Sequence, residues 1–387
     1  MRPRPLLLVL AGGAGGRLEL LTERRAKPAV PYAGHYRLVD VPLSNALHAG
    51  LEHVWLVEQH NPASLADHLS NGRPWDLDRT RGGLMVLHPH LGAGKEGWHE
   101  GTADAVWRQA GLVRELRPDA LVVVSADAVY RLDYDAVVSE HLDSGAVATM
   151  VTTRVDASDA GRYGVVQVED GRVTDSVYKP DEPASDLVSN EVFVFDPERV
   201  LALLDELGEA ADDGLDDLGD ELLPRLVDAG EAREHRLDDY WRDLGTVDAY
   251  WSAHQDLVRD DPPFLPDDPA WPLVTLPPRA GPARVRSGAD IVDSLLSPGS
   301  DVGGSVERSV VSPGVVVEPG ATVVDCVLLH GTVVRAGARV ERAVVDGAEI
   351  CRDAVVGGSD AVTLVGADQR VTGEVPAGAR VPEPEDD

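Results

Sequence analysis

The C-terminal part of the chain repeats a six-residue pattern of valine and glycine, and this feature constrains the fold more than any other. Its clearest copies are SPGVVV at 312–317 and EPGATV at 318–323. When the aliphatic residues of each repeat point inward, the repeat forms one flat face of a triangular prism and stacks on its neighbours. We therefore predict a left-handed parallel β-helix over 284–387. A small valine-rich β-sandwich stays open as the alternative, because the repeats over 340–365 are imperfect.

Ahead of the repeats, residues 1–258 alternate short β-type runs with helical patterns. The β-type runs are 6–10, 53–58, 120–125, 146–154, 164–169 and 187–195, and helical spacing occurs over 62–69, 102–116 and 134–142. This alternation predicts an α/β domain with a Rossmann-like, mostly parallel sheet covered by helices. Residues 259–283 are rich in proline and lack periodicity, which predicts an extended linker between the two domains.

The charge balance excludes several classes of partner. The chain has 35 Lys and Arg residues against 67 Asp and Glu, a formal net charge of −32. We expect no nucleic acid and no anionic membrane as partner, so any anionic ligand must be held by a few local cations. Cys326 and Cys351 have no disulfide or metal-ligand spacing, and no apolar run approaches the length of a membrane span. These features predict a soluble protein of the reducing cytoplasm.

A glycine-dense turn, AGGAGGR at 11–17, follows the first β-type run. Consecutive backbone N–H groups in such a turn can point at phosphate oxygens. The turn has neither the GK[ST] of a Walker loop nor the GxGxxG of a dinucleotide fold, and a plain tight turn is the alternative. Four cations lie within eleven residues, at Arg17, Arg24, Arg25 and Lys27, in a chain that is otherwise acidic. This concentration favours a triphosphate-binding loop.

Five motifs together resemble those of the ADP-glucose pyrophosphorylase (glucose-1-phosphate adenylyltransferase) family of sugar-phosphate nucleotidyltransferases. They are GGAGGRL at 12–18, TERRAKPAVP at 22–31, YRLVD at 36–40 with LSN at 43–45, GTADAV at 101–106, and YWRDLGT at 240–246. Their order, the proline-rich segment and the terminal repeats extend the resemblance over nearly the whole chain. It implies that a sugar 1-phosphate attacks the α-phosphorus of ATP and releases pyrophosphate, assisted by Mg²⁺, with ADP-glucose made for glycogen.

The resemblance also implies roles for the residues that match its motifs. Arg17, Lys27 and Asp127 would be catalytic; Ala11, Gly12, Gly13, Gly15, Gly16, Gly101 and Thr102 would bind the nucleotide; Lys179, Ser189 and Asp243 would bind the sugar phosphate; and Arg24 and Arg25 would bind an anionic effector. Family members are tetramers, so we expect a homotetramer or a hetero-oligomer with a related subunit.

The two metal ligands expected from the resemblance are Asp127 and Asp243. Asp127 follows the β-type run 120–125, and open α/β sheets bind ligands at the carboxyl ends of their strands. Two carboxylates completed by substrate phosphates and waters suit Mg²⁺, which rarely takes a site made of protein ligands alone. The alternatives are that Asp127 caps the following helix and that Asp243 pairs with Arg242.

Several positions depart from the family pattern. His90 and Leu91 stand where a glutamine reads adenine, Tyr178 stands for a glutamate, and Glu191 stands for a glycine beside the sugar. The role of Lys95 stays undecided. Three functions therefore remain open: synthesis of ADP-glucose, the same chemistry on another sugar or base, and a weak or inactive regulatory paralogue.

The phosphate hypothesis makes a geometric prediction. Five cations should converge on one cleft, and their dispersal over separate faces would count against the hypothesis. They are Arg17, Arg24, Arg25, Lys27 and Lys179.

Overall fold

The computed structural model describes residues 3–13, 15–89, 97–211 and 214–383. The predictions that concern His90, Leu91 and Lys95 lie outside these ranges. The strands of the first domain are β1 (Pro5–Ala11), β2 (Pro31–Tyr32), β3 (Tyr36–Arg37), β4 (His53–Glu58), β5 (Gly83–Leu87), β6 (Ala120–Ser125), β7 (Ala128–Tyr130), β8 (Ala148–Arg154), β9 (Gly164–Glu169), β10 (Arg172–Tyr178), β11 (Leu187–Phe195), β12 (Ala232–Arg236) and β13 (Trp241–Asp243).

Helices alternate with these strands. The α-helices are α1 (Asp40–Ala49), α2 (Ala63–Leu69), α3 (Thr102–Arg108), α4 (Ala110–Leu116), α5 (Tyr134–Ser144), α6 (Pro197–Ala210), α7 (Leu218–Glu221), α8 (Leu223–Asp228) and α9 (Val247–Asp256), and short 3₁₀ helices span Gly16–Leu21, Lys27–Ala29, Ser70–Trp75 and Ala160–Arg162. The predicted helical segment 102–116 is thus two helices, separated at Gln109.

Within the described residues, the first domain is built on a nine-stranded sheet of order β5-β4-β1-β6-β11-β8-β12-β10-β9. Strands β5, β4, β1 and β6 are mutually parallel, and β8 is parallel to β12. Strand β11 is antiparallel to β6 and β8, and β10 is antiparallel to β9 and β12. The predicted α/β domain is confirmed, with the parallel strands concentrated in one half of the sheet.

Strand β1 lies at the centre of the parallel half and is buried on both faces. Its residues Leu6, Leu7, Leu8 and Val9 are fully buried, which explains why the run is continuously apolar rather than alternating. Because β1 and β6 are parallel neighbours, their carboxyl ends meet at one edge of the sheet. The glycine turn after β1 and Asp127 after β6 are therefore brought side by side.

The C-terminal domain is a left-handed parallel β-helix, as the six-residue pattern predicts, and the β-sandwich alternative is wrong. Its described strands form three six-stranded parallel sheets. One sheet contains β14 (Arg284–Val285), β17 (Asp301–Val302), β20 (Val316–Val317), β23 (Val333–Val334), β26 (Glu349–Ile350) and β29 (Arg370–Val371); the second contains β15 (Asp290–Val292), β18 (Ser305–Glu307), β21 (Thr322–Val324), β24 (Arg339–Glu341), β27 (Val355–Gly357) and β30 (Glu374–Val375); the third contains β16 (Leu295–Leu296), β19 (Val310–Val311), β22 (Val327–Leu328), β25 (Ala343–Val345), β28 (Thr363–Val365) and β31 (Arg380–Val381).

Valine stacking holds successive coils of the β-helix together. Val306, Val323, Val340 and Val356 occupy the same register position in consecutive coils and are fully buried. Each coil thus buries the aliphatic side chain of the one before it, in the manner of a repeat protein.

The two domains share an apolar core and a set of ion pairs. Leu329 and Leu364 of the β-helix pack in the same buried cluster as Leu20 and Leu21 of the first domain. Arg380 also pairs with Glu19. The segment that carries Lys27 is therefore held against the β-helix. No helix of the described part of the chain is long and apolar enough to cross a membrane.

Candidate active site

A cleft of about 630 Å³ opens at the edge of the sheet where β1 and β6 end. Its walls include the glycine turn, the Gly101–Thr102 segment, the end of β10 and the middle of β11. Of the predicted nucleotide-binding residues, Gly12, Gly13, Gly15, Gly16, Gly101 and Thr102 line it. Ala11 does not, because it is the last residue of β1 and is buried within the sheet.

Close contacts explain the glycine at position 15. Gly15 has a positive φ of 72°, and a Cβ there would lie 2.8 Å from Thr22 Cγ2 and 3.1 Å from Lys27 Cβ. The Thr22 hydroxyl donates a hydrogen bond to the Gly15 carbonyl at 3.0 Å. The turn therefore folds back against the segment that carries Lys27 and fixes its place beside the cleft.

Lys27 lies between two carboxylates. Its Nζ donates a hydrogen bond to Asp127 Oδ2 at 2.7 Å and lies 4.0 Å from Asp243 Oδ1. Burial alone would lower the pKa of Lys27, but the two carboxylates raise it above its usual value. Burial works against the charged form of Asp127 as well, yet the Lys27 charge and hydrogen bond hold the pKa of Asp127 below its usual value. The pair is therefore ionised.

Antiparallel pairing of two short strands brings Asp243 to this position. Asp243 in β13 lies opposite Ala128 in β7, so it is adjacent to Asp127 in space. Burial and the neighbouring charge of Asp127 raise the pKa of Asp243. The alternatives for both aspartates are wrong, since Asp133 caps α5 and Arg242 pairs with Asp256 at 2.8 Å.

Arg17 and Lys179 also line the cleft, whereas Arg24 and Arg25 do not. Arg25 pairs with Asp346 of the β-helix at 2.8 Å, and Arg24 pairs with Asp368. The prediction that all five cations converge is therefore wrong for Arg24 and Arg25, which face the β-helix. The other three meet in the cleft as predicted.

The wall of the cleft around Lys179 contains a hydrogen-bond network that the sequence does not reveal. The Lys179 ammonium donates to the Tyr178 hydroxyl at 2.5 Å and lies 4.1 Å from the ring centroid. Tyr178 donates in turn to Asp217 Oδ2 at 3.0 Å. The other oxygen of Asp217 accepts from the Thr102 amide at 3.1 Å and hydroxyl at 3.0 Å. Asp217 thus connects Thr102 with Tyr178 and Lys179 across the cleft, and no local motif marks it.

A bulge in β11 shapes the same wall. The register against β8 shifts between Ser189 and Phe193, and Glu191 has a left-handed φ of 59°. That backbone conformation suits the glycine of the family pattern and is strained for glutamate. Ser189 and Glu191 both line the cleft. Burial, together with Asp127 and Asp243, raises the pKa of Glu191 to about 8.

Comparison with known proteins agrees with this architecture. Residues 6–260 match the family model described as nucleotidyl transferase. The chain belongs to the nucleotidyl transferase family. Residues 280–365 of this nucleotidyl transferase match a second model, described as GlmU-like, C-terminal hexapeptide.

Curated relatives match most of the chain. The nucleotidyl transferase is 39% identical over 319 residues to glucose-1-phosphate adenylyltransferase of Thermotoga neapolitana, an alignment that covers 82% of this chain and 75% of the relative. It is 32% identical over 351 residues to the Bacillus thuringiensis enzyme of the same name, with 90% of this chain and 93% of the relative covered.

Proposed function

We propose that this nucleotidyl transferase converts ATP and glucose 1-phosphate to ADP-glucose and pyrophosphate, for glycogen synthesis. The observation that carries the proposal is the position of Lys27 between Asp127 and Asp243, with Lys179 across the same cleft. Phosphate-directed cations and a pair of carboxylates are the groups that this chemistry requires.

The glycine turn would bind the triphosphate. Gly13 and Gly16 line the cleft, and a Cβ at either position would meet no atom within 4 Å, so phosphate oxygens can approach the backbone closely. Arg17 and Lys27 would neutralise charge on the triphosphate as pyrophosphate leaves. Their side chains are placed before the reaction begins, which lowers the cost of reorganisation.

Nucleotidyltransferases of this kind generally use divalent metal ions, and the residues present fit Mg²⁺. Burial and, after it, repulsion from Asp127 raise the pKa of Asp243, and a cation between the two carboxylates would relieve that repulsion. Among the described residues no group of three potential ligands surrounds one point, which suits an ion completed by substrate oxygens. When bound, Mg²⁺ would polarise the phosphoryl oxygens and offset their charge.

Lys179 and Ser189 would position the sugar 1-phosphate. A phosphate oxygen of the sugar forms a bond to the α-phosphorus of ATP, and the bond from that phosphorus to the β-bridging oxygen breaks. Pyrophosphate departs with the electron pair, in line with the attacking oxygen. Lys179 must leave the Tyr178 hydroxyl, or share its protons, to contact the phosphate.

Pyrophosphate release tests this proposal directly. Purified protein with ATP, glucose 1-phosphate and Mg²⁺ should release pyrophosphate and form ADP-glucose. Release only with another sugar 1-phosphate or nucleoside triphosphate would support the altered-specificity alternative, which Tyr178 and Glu191 motivate. Retained ATP binding without turnover on any pair would support the regulatory alternative.

Three further proposals follow from the family. We propose a homotetramer or a hetero-oligomer with a related subunit, and a cytoplasmic location where ATP and sugar phosphates are available. We also propose that Arg24 and Arg25 respond to an anionic effector. Such an anion would compete with Asp368 and Asp346, which pair with these arginines.

A further inference from the structure

The adjacent residues Tyr178 and Lys179 place their side chains on the same wall of the cleft. Tyr178 is the last residue of β10, and successive side chains of a strand normally point to opposite faces. Lys179 breaks this alternation because its φ of 46° is left-handed. Such a conformation is strained for a lysine and persists where the surrounding structure demands it. The backbone therefore bends at Lys179 in a way that lets the two side chains meet.

The Tyr178 ring is packed against the backbone of α7. A Cβ at Gly219 would lie 2.6 Å from the ring atom Cδ2, so the ring fills the space beside this glycine. The Tyr178 hydroxyl is fixed by its hydrogen bond to Asp217 Oδ2 at 3.0 Å. Burial, followed by the charges of Glu191 and Asp217, raises the pKa of Tyr178, so the phenol keeps its proton. Tyr178 is thus a neutral, well-held group beside a lysine with a flexible stem.

The direction of each hydrogen bond in this network follows from the chemistry of the groups. An ammonium can only donate and a carboxylate can only accept, so the Tyr178 hydroxyl accepts from Lys179 and donates to Asp217. Asp217 also accepts from the amide and the hydroxyl of Thr102. Asp217 therefore fixes the phenolic proton on the side away from Lys179, and the lone pairs of the phenol oxygen face the ammonium.

The positive charge of Lys179 is left available to an anion. Within the described part of the chain the ammonium forms no ion pair, and its hydrogen bond and its cation–π contact are both with Tyr178. These two contacts orient a cation without neutralising it. An ammonium has three N–H donors, so the one that is bonded to Tyr178 leaves two for phosphate oxygens.

We propose that Tyr178 is a positioning residue, whose hydroxyl holds the Lys179 ammonium on the cleft wall for the phosphate of the sugar 1-phosphate. A lysine side chain loses rotamer freedom when it is fixed on a ligand. Tyr178 orders the side chain before the ligand binds, which lowers that entropy loss. The inference rests on the proposed function, because it concerns the sugar 1-phosphate of that reaction.

Removing the hydroxyl tests the proposal. Tyr178→Phe keeps the ring beside the ammonium and deletes the acceptor. The KM for glucose 1-phosphate in the pyrophosphate assay should rise about tenfold, while kcat and the KM for ATP stay within about twofold of the wild type. Tyr240→Phe is the matched control, because its hydroxyl donates to Asp256 at 3.1 Å outside the cleft. The control should leave all three constants unchanged.

A double variant separates positioning of Lys179 from direct contact with the sugar. In a Lys179→Met background, Tyr178→Phe should change kcat/KM for glucose 1-phosphate less than about twofold, because the group that Tyr178 positions is gone. An equal loss in both backgrounds would overturn the inference, since the hydroxyl would then contact the sugar itself or only support the fold.

Asp217→Asn tests the direction of the hydrogen bonds. With its oxygen on Thr102, the new amide would donate to the phenol, whose proton would no longer be directed away from Lys179. This variant should raise the KM for glucose 1-phosphate about tenfold, and it should add less than about twofold to the effect of Tyr178→Phe. Fully additive effects of the two substitutions would contradict the proposed network.

Calorimetric titration of glucose 1-phosphate, with α,β-methylene-ATP and Mg²⁺ present, tests the inference apart from turnover. The dissociation constant of Tyr178→Phe should be about tenfold above that of the wild type, and equal constants would overturn the inference. A wild type that binds the sugar phosphate but releases no pyrophosphate with any sugar would refute the proposed function alone. A wild type that binds no sugar phosphate would refute both.

Discussion

Replacing Arg25 with alanine should show how much one ion pair between the two domains contributes to the free energy of unfolding. Arg25 and Asp346 lie 2.8 Å apart, and their side chains are 21% and 6% exposed. Point charges at this distance attract by about 6 kcal/mol at an effective dielectric constant of about 20. Desolvation offsets much of this attraction, but removing one partner leaves the other buried and unpaired. We therefore expect Arg25→Ala to lower the free energy of unfolding by about 3 kcal/mol.

Urea unfolding measures this loss, and a neighbouring residue supplies the control. Arg24 pairs with Asp368 across the same contact, but those side chains are 59% and 77% exposed. Arg24→Ala should therefore leave the unfolding midpoint unchanged within error. In a double-mutant cycle, Arg25→Ala and Asp346→Ala should show a coupling of about 2 kcal/mol. A coupling near zero, or equal losses for the two arginine variants, would refute the reasoning.

The pH dependence of the stability loss in Arg25→Ala is an independent test of this ion pair. Burial raises the pKa of Asp346 in the folded protein, and the Arg25 charge partly opposes that rise. Without Arg25 the folded pKa rises further above the unfolded value, so the folded state binds the proton more readily. The stability deficit of Arg25→Ala should thus be largest near pH 8 and shrink as the pH falls toward 5. A deficit that grows on acidification would contradict this account.

Three further predictions concern the active site and core. Asp127→Asn should lower kcat about 10²- to 10³-fold in the pyrophosphate assay with an unchanged circular dichroism spectrum, whereas an unchanged kcat would remove Asp127 from the mechanism. Glu191→Gly should raise the free energy of unfolding by about 1 kcal/mol in urea unfolding, because it relieves left-handed backbone strain at a residue with φ of 59°. A loss of stability would show that the glutamate side chain stabilises the bulge. Gly208→Ala should lower the free energy of unfolding by about 2 kcal/mol in the same assay, because the new Cβ would lie 2.0 Å from the Trp107 ring. A neutral result would mean that the ring can move aside.

Local patterns predict many of the elements. Runs 53–58, 120–125, 164–169 and 187–195 are strands with these bounds, because apolar β-type segments bounded by turn residues need no distant information. The helical segment 102–116 is divided at Gln109, where the spacing of apolar residues gives no warning. The sequence also could not show which cations of the motif at 22–31 face the cleft and which face the β-helix, because adjacent residues in an irregular segment can face opposite sides.

The six-residue pattern by itself favoured the β-helix over a β-sandwich, and the apolar runs predicted the α/β domain, since both depend on side-chain periodicity along the chain. Tertiary structure alone decided which polar residues share a site. Pairing of β13 with β7 brings Asp243 to Asp127, and the irregular part of β11 places Ser189 and Glu191 on the wall of the cleft. Such contacts join residues far apart in sequence, and their energies depend on burial and charge that exist only once the sheet has formed.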